Sequence, residues 1–217
     1  MNENVISRAM AEKLIVIVRG VGKEHLIPLG EAMYRGGIRL MEITYSADGK
    51  VSDKETAARI AMLREHFDGR MDIGAGTVLT EKQVAMTKAA GGTFIVSPDA
   101  NPAVIGRTKS EGLMSVPGAL TPTEIAAAHR YGADVVKLFP AKLFGAPYVR
   151  MVKAPLSHIP LFAVGNMVLS DMKEYLDAGV GGFCVGGDIA NLRCIAEGNF
   201  DAIEKTAAAY TSFLHKC

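Results

Sequence analysis

An excess of charge of one sign is missing. Twenty-four Lys and Arg face 23 Asp and Glu, a net charge of +1. A chain so balanced has no strong pull toward nucleic acid or an anionic membrane, so neither is expected as a partner. Long apolar runs are missing too: the longest span a handful of residues, far short of the roughly 20 a membrane helix needs. The segment Met1–Glu12 is polar and charged and lacks the apolar stretch of a secretory leader. Cysteine is scarce, with Cys184, Cys194 and Cys217 odd in number and at no zinc spacing. These absences predict a reducing cytoplasm, with the thiols as ordinary core or surface residues. His25, His66, His129, His158 and His215 show no metal spacing and read as surface residues.

What is there is an ordinary soluble composition, 49% hydrophobic and 22% charged, long enough for a large core. No linker or shift in composition divides it, so residues 1–217 are expected to form one domain. Short β-like runs recur at 14–19, 40–44, 72–77, 93–97, 114–117, 135–139, 161–165 and 182–186. Amphipathic helical stretches lie between them, among them 53–67, 80–90, 121–131, 169–178 and 200–214. Thr80 precedes Glu81, and Thr121-Pro122-Thr123-Glu124 has an N-cap, Pro at the first helical position and Glu in the first turn. Eight such βα units predict an α/β fold, a single (β/α)8 TIM barrel with a short N-terminal helix. The rival is an open doubly wound sheet. Polar residues near several strand ends (Arg19, Glu42, Thr44, Thr77, Ser97, Lys137) favour the barrel. Gly74-Ala75-Gly76-Thr77-Val78-Leu79 matches only part of a dinucleotide fingerprint.

The chemistry centres on Val135-Val136-Lys137-Leu138-Phe139, a strand with one lysine in an apolar run. Alternate strand residues share a face, so Val135, Lys137 and Phe139 point one way. Covered on both sides, such an amine is desolvated and nucleophilic enough to form a Schiff base with a ketone. The plainer reading is a lysine snorkelling to solvent or paired with a carboxylate. In Leu40-Met41-Glu42-Ile43-Thr44, Glu42 shares a face with Leu40 and Thr44 and is an acid/base partner for Lys137, or its structural ion pair. Arg19 suits a carboxylate or phosphate, or a rim salt bridge. Thr77 adds a hydroxyl. Gly165-Asn166 and Gly186-Gly187-Asp188 end the last two strands, where barrels commonly cradle phosphate on backbone amides, though tight turns explain the same glycines. Asp188 would repel an anion unless turned away, as it would be when capping a short helix. The apolar loop 143–148 fits a subunit interface, a lid or ordinary core packing.

These segments resemble the class I aldolases acting on 2-keto-3-deoxy-6-phosphogluconate (KDPG) and 4-hydroxy-2-oxoglutarate (KHG), along nearly the whole chain. The resemblance rests on Gly36-Gly37-Ile38 with Met41-Glu42-Ile43-Thr44, on Ile73-Gly74-Ala75-Gly76-Thr77-Val78-Leu79, and on Phe94-Ile95-Val96-Ser97-Pro98. Pro117-Gly118 with Thr121-Pro122-Thr123-Glu124, and Val136-Lys137-Leu138-Phe139-Pro140-Ala141, complete it. It implies a homotrimer of (β/α)8 barrels with no metal and no cofactor. Lys137 is then the Schiff-base lysine and Glu42 the general acid/base. Arg19 and Thr77 bind the pyruvate-end carboxylate, Pro98 and Phe139 line the pocket, and Gly165, Asn166, Gly187 and Asp188 meet the far end. The implied reaction cleaves a 2-keto-4-hydroxy acid (2-dehydro-3-deoxy-6-phosphogluconate, its galactonate epimer, or 4-hydroxy-2-oxoglutarate) to pyruvate and an aldehyde. Ser46 stands where many members have arginine. Ala163-Val164-Gly165-Asn166 replaces a common Pro-Thr-Gly-Gly, and Asp188 replaces a serine found in some members. The Ala-Val-Gly turn and Asp188 look more like the 6-phosphogalactonate-type relatives. Two alternatives remain: a sugar-phosphate isomerase or epimerase using Glu42 as base, and a non-catalytic ligand-binding relative.

Overall fold

The computed structural model describes residues 2–217, with side chains from Val5 onward. Among the described residues, nine parallel strands form one sheet curled into a nearly closed barrel, with helices outside it. The strands are β1 (Leu14–Val18), β2 (Leu40–Thr44), β3 (Asp72–Gly76), β4 (Phe94–Val96), β5 (Met114–Val116), β6 (Gly118–Ala119), β7 (Val136–Leu138), β8 (Leu161–Val164) and β9 (Gly182–Val185). Their order is β5-β4-β3-β2-β1-β9-β8-β7-β6. All eight expected strands are present. The ninth arises because the fifth runs on past Pro117 and changes neighbour, β5 pairing with β4 and β6 with β7. Proline has no N–H to continue a ladder. Its carbonyl still accepts the Lys137 N–H at 2.8 Å, and the Ser115 carbonyl accepts the Val135 N–H at 3.3 Å, which stitches the two ends of the sheet together.

The helices are α1 (Asn2–Glu12), α2 (Lys23–Arg35), α3 (Asp53–Phe67), α4 (Glu81–Ala89), α5 (Pro102–Ser110), α6 (Pro122–Arg130), α7 (Gly145–Lys153), α8 (Met172–Asp177), α9 (Leu192–Ala196) and α10 (Phe200–Leu214). The capping signals act where the sequence places them. Thr80 accepts from the Gln83 N–H, and Thr121 and Glu124 form a reciprocal capping box. The stretch expected to be one helix from 169 splits, a 3-10 turn at Leu169–Asp171 leading into α8. No helix among the described residues is long and apolar enough to cross a membrane.

Alternation along the strands separates two cores. Leu14, Val16, Val18, Met41, Ile43, Val136 and Leu138 face the helices in the outer core. Ile15, Leu40, Phe94, Val96, Met114, Val135, Phe162, Val164 and Cys184 fill the barrel interior. Val135 and Lys137 thus lie on the inward face, as period-2 reading predicts. Val5, Ile6, Ala9 and Met10 form one stripe on α1 and pack on this inner core. Helix α1 therefore plugs the N-terminal end of the barrel. Arg8 on the same helix reaches Asp72 at 2.7 Å, and the Asp72 side chain is 8% exposed. The open end lies opposite, at the C-terminal ends of the strands, where TIM-barrel chemistry is done.

Candidate active site

A cavity of about 770 Å³ opens at that end. Arg19 leaves β1, Thr77 β3, Pro98 β4, Lys137 and Phe139 the β7 run, and all five line it. So do Gly165, Asn166, Gly187 and Asp188 from the loops after β8 and β9. Nine of the ten residues singled out from the sequence converge on one space. The tenth, Glu42, does not line it. The residue is 1% exposed and lies inside the barrel.

Lys137 is 7% exposed, and its Nζ stands 4.9 Å from the Phe139 ring centroid at the cavity lip. Burial raises the Glu42 pKa to about 7, against weaker opposing pulls from the Lys137 and Arg19 charges. Glu42 Oε2 has no hydrogen-bond partner among the described residues. An unsatisfied buried carboxylate oxygen is unusual and marks a group free to exchange a proton. Gly76 of β3 makes the room for it, as Gly74 does for Phe94. A Cβ at Gly76 would stand 2.2 Å from Glu42 Oε1, and one at Gly74 2.5 Å from the Phe94 ring.

Arg19 donates to Thr77 Oγ1 at 3.0 Å, so guanidinium and hydroxyl form one polar edge of the cavity. Thr77 holds φ at +57°, a left-handed conformation that a β-branched residue adopts only under constraint. Strain of this kind clusters at functional sites. Asn166 sits at φ +54°, a conformation Asn tolerates. A second cavity of about 580 Å³ adjoins at Arg19, Gly20 and Thr77 and is lined by Ser46, Lys50 and Arg59. The Ser46 hydroxyl donates to Asp48 there.

Several expectations need correction. Asp188 caps no helix: Asn191 caps α9, accepting from the Arg193 and Cys194 N–H groups. The Asp188 carboxylate accepts instead from the Tyr210 hydroxyl on α10, a contact between residues 22 apart that no local pattern announces. Leu143 and Phe144 are 80% and 49% exposed, so this part of the apolar loop is not core, although Ala146 is buried. His66 is half-buried against Glu31 at 2.7 Å rather than a free surface residue. Cys184 was missed as a site residue. It is buried, lines the cavity wall and has its thiol pKa raised by burial. Its position two residues beyond the inward Gly182 of β9 was the available signal.

Comparison with known proteins completes the picture. The family described as "Aldolase: KDPG and KHG aldolase" matches residues 5–206. The chain is 33% identical to the 2-dehydro-3-deoxy-phosphogluconate aldolase of Treponema pallidum (strain Nichols) over 192 residues, 88% of each chain. It is 30% identical to the 2-dehydro-3-deoxy-6-phosphogalactonate aldolase of Escherichia coli (strain K12), over 93% of this chain and 92% of that one. The solved KDPG aldolase of Legionella pneumophila, which holds pyruvate as a covalent carbinolamine, superposes with a TM-score of 0.84 at 25% identity, over 97% and 98% of the two chains. The chain belongs to the KDPG and KHG aldolase family.

Proposed function

We propose that this chain cleaves a 2-keto-4-hydroxy acid to pyruvate and an aldehyde by Schiff-base chemistry on Lys137. One observation carries the reading: an amine at the floor of a cavity, with a carboxyl of pKa about 7 buried behind it. Lys137 Nζ adds to the C2 ketone and forms a carbinolamine. Loss of water gives an iminium. The base takes the C4 hydroxyl proton, the C3–C4 bond breaks, and its electrons flow into the iminium to give an enamine. Protonation at C3 and hydrolysis then release pyruvate and free the lysine.

Glu42 is the acid and base of these steps. With its pKa raised by burial to about 7, it can take the proton released as Lys137 Nζ adds to the ketone and return it to the carbinolamine hydroxyl. Arg19 and Thr77 hold the carboxylate next to the ketone. Pro98 and Phe139 flank the reacting carbons, Gly165, Asn166 and Gly187 receive the far end, and Asp188 borders it. No metal or cofactor is needed, because the iminium is the electron sink. The isomerase alternative loses support, since relatives over most of the chain are named aldolases.

Residues 1–217 act as one domain, and the working form is a cytoplasmic homotrimer. Leu143, Phe144 and Met151 support the assembly: they are apolar and 49–80% exposed, the first two just before α7 and Met151 in its last turn. Analytical ultracentrifugation should give three times the chain mass, and a monomer would remove this part. The chemistry is tested by borohydride reduction with pyruvate. A reduced-pyruvate adduct on the peptide containing Lys137 is expected, and an unmodified peptide would overturn the reading.

A further inference from the structure

The loop after β9 is tied to α10 by one side chain. Tyr210 is 1% exposed, and its hydroxyl donates to Asp188 of the β9 loop. The 3-10 turn Leu169–Asp171 follows the β8 loop. Asp171 in that turn accepts from the Val168 N–H and pairs with Lys142 at 2.8 Å. Tyr210 therefore fixes the β9 loop at the far end of the cavity. Asp188 is exposed and lines that end, where Gly165, Asn166, Gly187, Met167 and Val168 supply no cation.

We propose that Tyr210 is a positioning residue for the far-end subsite: by holding the Asp188 carboxylate against α10, it keeps that charge off a substrate's terminal phosphate and leaves the backbone amides of the two loops to bind it. The idea rests on the aldolase reading above. A carboxylate acceptor draws back from a dianion only if a donor elsewhere claims it, and the buried hydroxyl of Tyr210 is that donor. Burial and the adjacent Asp188 charge both keep the phenol protonated, so it stays a donor across the working pH range. Without the hydroxyl the carboxylate is free to swing into the cavity. A unit charge about 6 Å from a dianion, screened as in water, weakens binding about tenfold.

The test uses the full chain with Tyr210→Phe, which keeps the ring and removes only the donor, and with Tyr210→Phe combined with Asp188→Asn. Substrates are 2-dehydro-3-deoxy-6-phosphogalactonate or its gluconate epimer, and the same sugar acids without phosphate. In Tyr210→Phe, KM for the phosphorylated acid should rise about tenfold. Its kcat, the KM of the unphosphorylated acid and the rate of borohydride trapping with pyruvate should all stay within about twofold. In the double variant, KM for the phosphorylated acid should return to within about twofold of the unmodified enzyme. An unchanged KM in Tyr210→Phe, an equal rise for both acids, or a loss that persists in the double variant would each overturn the proposal. Failure of the aldolase reading itself looks different, because it removes pyruvate trapping from the unmodified protein.

Discussion

Two carboxylates lie inside the same barrel and live in opposite conditions. Asp72, at the plugged end, is met by Arg8 of α1 at 2.7 Å. Glu42, at the open end, has an oxygen with no partner, and burial raises its pKa to about 7. Both are inward-facing residues of adjacent strands, β3 and β2. A paired charge at the closed end joins α1 to the barrel. An unpaired carboxyl at the open end weakens the fold and can exchange protons. Burial alone therefore does not mark a functional acid. The decisive feature is burial without a partner, beside a nucleophile, under a cavity.

The largest expected effect breaks the open end altogether. Lys137→Ala should lose cleavage activity by about a millionfold, the low end of enzymatic acceleration, as measured by coupled pyruvate release. Its far-UV circular dichroism should be unchanged, since among the described residues no hydrogen bond depends on the amine.

Glu42→Gln should lower kcat about 10²- to 10⁴-fold and remove any limb near pH 7 from the rate profile. It also sharpens the contrast in stability. The folded pKa of Glu42 is raised, so its favourable contribution is fully present below pH 4.5 and is lost as pH rises through about 7. A shift from 4.5 to about 7 corresponds to about 3 kcal/mol. Glu42→Gln should therefore stabilise the protein relative to the unmodified chain at pH 8 and bring little gain at pH 4, in urea titrations at the two pH values.

The closed end should answer in the opposite sense. Arg8→Met leaves Asp72 without its partner. Breaking a buried pair costs about 3–5 kcal/mol, and because the Arg8 side chain is 28% exposed a loss nearer 2 kcal/mol is expected. The variant should keep its kcat. Equal loss of activity and stability would erase the distinction between the two ends.

The smallest effect concerns the β8 loop. Val164→Thr with Asn166→Gly adds a hydroxyl and relieves a left-handed Asn. KM for a phosphorylated substrate should fall about tenfold, from a hydrogen bond to a charged group worth about 1.5–3 kcal/mol. KM for 4-hydroxy-2-oxoglutarate should change little.

Much of this was legible in the sequence because the barrel obeys short periods. The strand positions, the inward faces of Lys137 and Glu42, and the capping box at Thr121 all follow from local rules. What was hidden depends on distant parts of the chain or on depth. The change of neighbour at Pro117 is set by closure of the sheet and not by the local run. Glu42 is buried inside the barrel and does not line the cavity, and it occupies the space that Gly76 leaves. The Tyr210–Asp188 contact joins the last helix to a loop, and the exposure of Leu143 and Phe144 depends on how α7 sits on the barrel. The left-handed φ of Thr77 has no sequence signature, because a β-branched residue argues against it.

The central claim is that Glu42 is a buried carboxyl poised to exchange protons near neutral pH. Carbon-13 NMR titration of the side-chain carboxyls, with Glu42→Gln to identify the signal, measures it directly. The expected midpoint for Glu42 is about 7. A midpoint near the ordinary 4.5 would contradict it and leave Lys137 without its acid and base.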